Sequence, residues 1–199
     1  KSWGITQSGS SFHFMGAKIA KKEGLSLKYK PLQKVGAIIG ALKSGQIDAW
    51  SIVPHIAKGL AKGGAVKIIG NVADYLPNYQ VTSVFTSAAN AAYERAKTEA
   101  FIAAFTKGAA DFNAALVDKT AGDAAAEDMV KLIHKYVYNT RPYEKAAPSI
   151  RNGAMRINSG AALNTTSIKE QLDWFKAEKL VKSSINMDTL VDSSYVKTL

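Results

Sequence analysis

A chain of 199 residues that is 47% hydrophobic and 21% charged has ordinary globular composition, long enough to bury a core and short enough for one domain or two small lobes. Cysteine is absent, which excludes disulfides, thiolate metal ligands and cysteine nucleophiles; no apolar run approaches the roughly 18 residues of a membrane-spanning helix, and Lys1 does not open a signal peptide. The net charge of +10 comes from 26 Lys and Arg residues scattered as singles and pairs with no run of five, a pattern of solvated helix faces rather than the clustered basic surface that binds nucleic acid.

Trp3 and Ile5 read as a short strand, followed by "SGSSFHFMGAKIAKKEG" at 8–24. Phe12, Met15, Ile19, Ala17 and Ala20 recur at helical spacing and Lys18, Lys21 and Lys22 fall mostly on the opposite face, so a helix begins near Ser10 or Ser11 and stops at Gly24. Two readings of Ser8, Gly9, Ser10 and Ser11 stand side by side. One is plain N-capping; the other is a polar or anionic ligand held on the unpaired N–H groups and positive dipole end of the helix.

"LSLKYKPL" alternates like a half-buried strand up to Pro31, and "VGAIIGALKSGQ" places Val35, Ile38, Ile39 and Leu42 on one helical face before Gly45. "IDAWSIV" is predicted as a nearly continuous apolar strand, "PHIAKGLAKGG" as a helix with Pro54 at its first position, and "AVKIIGNV" as another strand. Strands alternating with helices imply an α/β fold with right-handed crossovers and a mainly parallel sheet covered on both faces. "YQVTSVFTS" at 79–87 is one more β-rich run.

Beyond it the chain reads as helical. Phe101, Ile102, Phe105, Ala109, Phe112 and Leu116 form one expected core face, and Met129, Leu132, Ile133, Tyr136 and Val137 another. A Pro-containing connection over 141–148 and a short extended "MRIN" lead to "TTSIKEQLDWFKAEKLV", a helix expected to start on a threonine cap with Glu170 three residues after Ser167. "MDTLVDSSYVKTL" is a short terminal helix with a tail. No catalytic spacing emerges: the three histidines, His13, His55 and His134, form no metal pair, His134 sits in an apolar helix as a structural residue, and no nucleophile elbow, phosphate loop or dinucleotide turn is present. Asp48 reads as a surface or capping group.

The order of these parts, with "GSSFHFMGAKIAKKEGL", "ALKSGQIDAWSIVPHIAKGLAKGG", "LPNYQVTSVFTS" and "QLDWFKAEKLVKSSINMDTLVD", resembles the substrate-binding proteins of ATP-driven (ABC) importers for nitrate, sulfonates, taurine and thiamine precursors. The resemblance covers nearly the whole chain. It implies a type 2 periplasmic-binding-protein architecture, with residues 1–79 as the ligand-binding α/β lobe two and 80–199 as a mostly helical return to lobe one. It also implies that the first strands and helices of lobe one are missing ahead of Lys1. In this family the lobes close by hinge motion on a small organic or anionic solute, no cofactor or metal takes part, the partners are the solute and the membrane permease, and the location is periplasmic.

Carried residue by residue, the resemblance turns Ser8, Gly9, Ser10 and Ser11 toward the ligand and sets Trp50, Ser51, Pro54 and His55 beside it. His13 either reaches the ligand or packs next to it, and Trp50 serves equally as an apolar wall or a core residue. Val53 stands where many relatives carry a glutamate, so that carboxylate contact does not transfer. The alternative is an enzyme of the thiamine-pyrimidine synthesis type on the same scaffold, or a ligand-sensing domain; a desulfinase is closed off because its chemistry needs a cysteine.

Overall fold

The computed structural model describes all residues from 1 to 199. In chain order its elements begin with β1 (Ser2–Ile5), α1 (Ser11–Lys22), β2 (Lys28–Pro31), α2 (Val35–Lys43) and α3 (Pro54–Lys62). They continue with α4 (Ala88–Tyr93), α5 (Arg95–Phe112), α6 (Gly122–Val137), α7 (Tyr143–Gly153), α8 (Thr165–Ala177) and α9 (Met187–Leu190). The chain divides into two compact units, one of Lys1–Val81 with Asn164–Val191, the other of Thr82–Leu163 with Asp192–Leu199. Residues Asn164–Val191, assigned from sequence to the second part, pack instead with the first, because α8 lays Trp174 against Phe14 (ring centroids 5.3 Å apart) and Glu170 pairs with Lys18 at 2.6 Å.

The first unit is α/β. β1 and β2 run parallel with Trp3 opposite Tyr29 and Gly4 opposite Lys30, and α1 is the crossover between them. Alternation of side chains along β1 then assigns its two faces. Trp3 turns toward α1, its indole N–H donating to Phe12 O at 3.1 Å, while Gly4 opens toward α2. A Cβ at Gly4 would lie 2.6 Å from Ile47 Cδ1 and 2.7 Å from Ile38 Cγ2, so glycine lets Ile38, Ala41 and Ile47 close against the strand. On the α1 side Phe14, Met15 and Leu76 form a second cluster with Tyr79 and Trp174, and Tyr79 stacks on Phe14 at 5.4 Å.

Three expected strands fail to form, the last two for a shared reason. "IDAWSIV" contributes a single bridge, Ala49 to Trp3, with the Gly4 N–H on Ala49 O at 3.0 Å. "AVKIIGNV" is irregular and leaves Ile69 83% exposed, and "YQVTSVFTS" is irregular with Phe85 91% exposed. β-propensity measures fit to a pleated, half-buried surface, and a strand without a neighbour has neither ladder bonds nor a face to bury. The sheet is therefore a small parallel pair flanked by helices rather than the broad one expected.

The second unit is helical. Val130, fully buried, and Ala146, Ile150, Ala115 and Leu116 form its core, with Ala126, Met129 and Ile133 against it. The buried stripe of α6 is thus 126/129/130/133, rotated from the expected one, and Leu132, Tyr136 and Val137 face solvent. Phe101 is exposed as well. The expected connection at 141–148 is instead the start of α7, which tolerates Pro148 because Ala146 and Ile150, one turn apart, are held in the core. The "MRIN" segment is irregular; its Ile157 backbone pairs with the Asn113 amide. The end of the chain returns to this unit, with Leu163 N–H on Lys197 O at 2.9 Å and Leu199 N–H on Leu163 O at 2.8 Å.

Candidate functional site

The corner between β1 and α1 is built from small residues for stated physical reasons. Gly9 has φ +79°, a left-handed conformation that costs an L side chain energy, and a Cβ there would stand 3.3 Å from Phe175 Cε1. Ser10 is the N-cap: its backbone is extended and its Oγ accepts from the His13 N–H at 3.4 Å. Of the two capping residues the sequence left open, Ser10 takes the role. Ser11 then becomes the first helical residue, and neither its hydroxyl nor that of Ser8 has a protein partner. The N–H groups of Ser11 and Phe12 make no backbone bond, as the first turn of a helix requires.

The electrostatics of this corner favour an anion. α1 carries no acidic residue in its first turn and has Lys21 and Lys22 in its last. The first unit holds 15 lysines against 7 acidic residues, net +8, while the second holds 11 basic against 9 acidic residues, net +2, so most of the protein's positive field belongs to the unit that carries the corner.

His13 is turned into the protein. Its Nδ1 accepts from the Gly9 N–H at 3.2 Å, and its ring lies edge-on to Tyr29 at 4.3 Å and to Trp174 at 5.0 Å. Burial lowers its pKa from the ordinary histidine value, with Glu178 pulling the other way, and burial, aided by Glu178, raises that of Tyr29. Because Nδ1 accepts, the neutral ring carries its proton on Nε2. Of the two roles left open for His13, the geometry favours the packing one: it braces the Gly9 turn from inside.

Trp50 reaches the same neighbourhood through Phe12, the two rings meeting edge-to-face at 5.5 Å, and it also borders the Ile38–Ile47 cluster. Its indole nitrogen is buried without a hydrogen-bond partner. A buried N–H left unpaired is costly enough to require an explanation. Ser51 is buried and donates its hydroxyl to Met15 Sδ at 3.3 Å, which ties the 49–53 segment to α1. Pro54 and His55 open α3, with Val53 as its cap residue, and both are half-buried. Asp48, read as a surface or capping group, is exposed and ties the start of β1: it accepts from the Ser2 N–H at 2.7 Å and from the Ser2 hydroxyl at 2.8 Å, and these bonds hold its carboxyl below the usual range.

Several residues around the corner escaped the sequence reading. Tyr29, Trp174, Phe175 and Leu180 come from β2, α8 and the turn after it, and only their apolar character was visible in advance. α8 is capped by Asn164, whose Oδ1 accepts from Ser167 N–H at 3.0 Å, not by a threonine, and Glu170 reaches Lys18 instead of closing a capping box. α8 is locked to the first unit by Gln80: its Oε1 accepts from Asn164 N–H, its N–H donates to Ser167 Oγ, and its carbonyl accepts from Gln171 Nε2. In the second unit His134 bonds the Arg141 carbonyl at 2.7 Å, a structural tie between α6 and the start of α7.

No three His, Asp or Glu side chains gather as a metal site, and no helix is long and apolar enough to cross a membrane. Comparison with known proteins yields no matching family model, no matching curated protein and no matching solved structure.

Proposed function

We propose that this chain is the solute-binding component of an ABC importer, and that the Ser8–Phe12 corner grips the polar head of a small organic or anionic solute such as a sulfonate, taurine, nitrate or a pyrimidine-like compound for delivery to a membrane permease. The observation that supports this reading is the division of labour among the serines. Ser10 satisfies the helix, which leaves two hydroxyls and two backbone N–H groups at the positive end of α1 with no internal partner. Four donors around one helix terminus suit an oxyanion, and the charge of the unit assists its capture. The resemblance of the motifs to importer binding proteins supports the same reading, and binding of this kind calls for no covalent step.

Calorimetric titration of the full chain with taurine, an alkanesulfonate, nitrate and a pyrimidine tests it. The Ser8→Ala/Ser11→Ala variant is expected to bind the best of these at least about tenfold more weakly, since each hydroxyl bond to a charged group contributes about 1.5–3 kcal/mol. Its unfolding midpoint is expected to stay unchanged. Ser10→Ala should behave oppositely, losing about 1 kcal/mol of stability with the cap. Absence of binding to all four compounds, or wild-type affinity in the double variant, refutes the assignment.

A further inference from the structure

The second unit contains a cavity of about 220 Å³ where backbone irregularities converge. One wall is the end of α5, where the helix widens into a π-helical turn at Asn113–Val117; the other is the segment 156–160. Interruptions of this kind are rare in helices and are frequent at functional sites. Asn113 opens the turn and is buried. Its Nδ2 donates to Ile157 O at 2.7 Å and its Oδ1 accepts from Ile157 N–H at 3.0 Å, so one amide pins the two walls together. Lys119 (φ +58°) just beyond the turn and Ala161 (φ +54°) beside the opposite wall both hold left-handed backbone, a conformation that L residues other than Asn and Asp seldom adopt.

The cavity's chemistry is specific in charge. Ala110 and Ala114 contribute small methyl groups, whereas Asp118, Arg156 and Ser159 contribute polar ones. Arg156 reaches Asp118 through both terminal nitrogens, Nη1 to Oδ2 at 3.4 Å and Nη2 to Oδ1, and both side chains are more than one-third exposed. A simple anion would meet the carboxylate and a simple cation would meet the guanidinium. A molecule carrying both charges meets neither penalty, because it offers each member of the pair an opposite charge in exchange for the one it gives up. The volume admits only a small solute.

We infer that this cavity is a second solute site, taking a small α-amino acid with its carboxylate on Arg156 and its ammonium on Asp118. The probe is L-alanine, titrated into the full chain and followed by saturation-transfer NMR and calorimetry, with acetate, methylammonium and glucose at equal concentration. L-Alanine is expected to bind saturably and the other three are not. Arg156→Gln and Asp118→Asn are each expected to weaken binding about tenfold or more, with unchanged far-UV circular dichroism because both side chains lie at the surface. The Ser8→Ala/Ser11→Ala variant is expected to bind L-alanine normally, which separates this site from the corner in the first unit. Lack of L-alanine binding, equal binding of glucose, wild-type affinity in Arg156→Gln and Asp118→Asn, or loss of binding in the serine variant overturns the inference.

Discussion

Replacing glycine by alanine inside a helix ordinarily stabilises a protein by about 0.5–1 kcal/mol, because alanine loses less backbone freedom on folding. Gly16, in the middle of α1, is expected to break that rule. A Cβ there would stand 2.7 Å from the Trp3 Nε1 and 2.9 Å from its Cδ1, far inside van der Waals contact. The indole has no room to move, since Trp3 is buried and its N–H is committed to Phe12 O. Overpacking of a well-filled core costs about 1–3 kcal/mol, so Gly16→Ala should be a net loss of about 1–2 kcal/mol after the helical gain. Gly40, on α2, has nothing within 4 Å of an added Cβ, and Gly40→Ala should stabilise by the ordinary amount. All three tryptophans, Trp3, Trp50 and Trp174, lie in the first unit, so urea unfolding followed by tryptophan fluorescence reports that unit alone. Opposite signs for the two variants are expected. Equal stabilisation by both would refute the packing of α1 on β1, and with it the placement of the Gly9 turn.

Lowering the pH should loosen the same unit through His13. Its folded pKa lies below the ordinary 6.5, so the neutral form is the one the fold prefers: its contribution is complete above 6.5 and declines as the pH falls below that value, when a proton on Nδ1 displaces the Gly9 N–H. The fluorescence-detected urea midpoint should drop more between pH 7.5 and pH 5 in the wild type than in His13→Gln, and equal drops would argue against a buried neutral imidazole. In the second unit, Val130→Ala removes two methyl groups from a fully buried position and should cost about 2 kcal/mol, visible as a lowered urea midpoint by circular dichroism. An unchanged midpoint would contradict the placement of Val130 at the centre of that core.

The elements legible in the sequence were those that carry their own stop signals or a strong period. α1 was visible from Ser10 to Gly24 because a hydroxyl cap and a left-handed glycine bracket an amphipathic run, and α3 because Pro54 suits a first turn. The start of α8 was found but its cap was not: Asn164, Thr165, Thr166 and Ser167 are all competent, and Asn164 wins because its Nδ2 also reaches the Asn78 carbonyl at 2.7 Å, a contact 86 residues away in sequence. α7 was missed because Pro148 locally outweighs a helix that the Val130 core supports from outside. The serine corner is legible as a motif, yet the sequence leaves the cap open between Ser10 and Ser11 and His13 open between ligand contact and packing, since the Gly9 N–H that occupies its ring nitrogen is a contact that periodicity does not report.

Residues 65–71 and 81–87 have the composition of strands yet form none, and Ile69 and Phe85 lie exposed, because composition states only what a segment would do beside a partner. Sequence alone determined the helix boundaries set by caps and glycines, the absence of cysteine chemistry and the positive charge, all of which are properties of residues and their near neighbours. Tertiary structure decided how far the sheet extends, which stripe of α6 is buried, that α8 belongs with the first unit, and that Arg156 stands against Asp118 at the mouth of a cavity. Each of those outcomes depends on surfaces contributed by parts of the chain far apart in sequence, and the free energy that selects among them exists only once those surfaces meet.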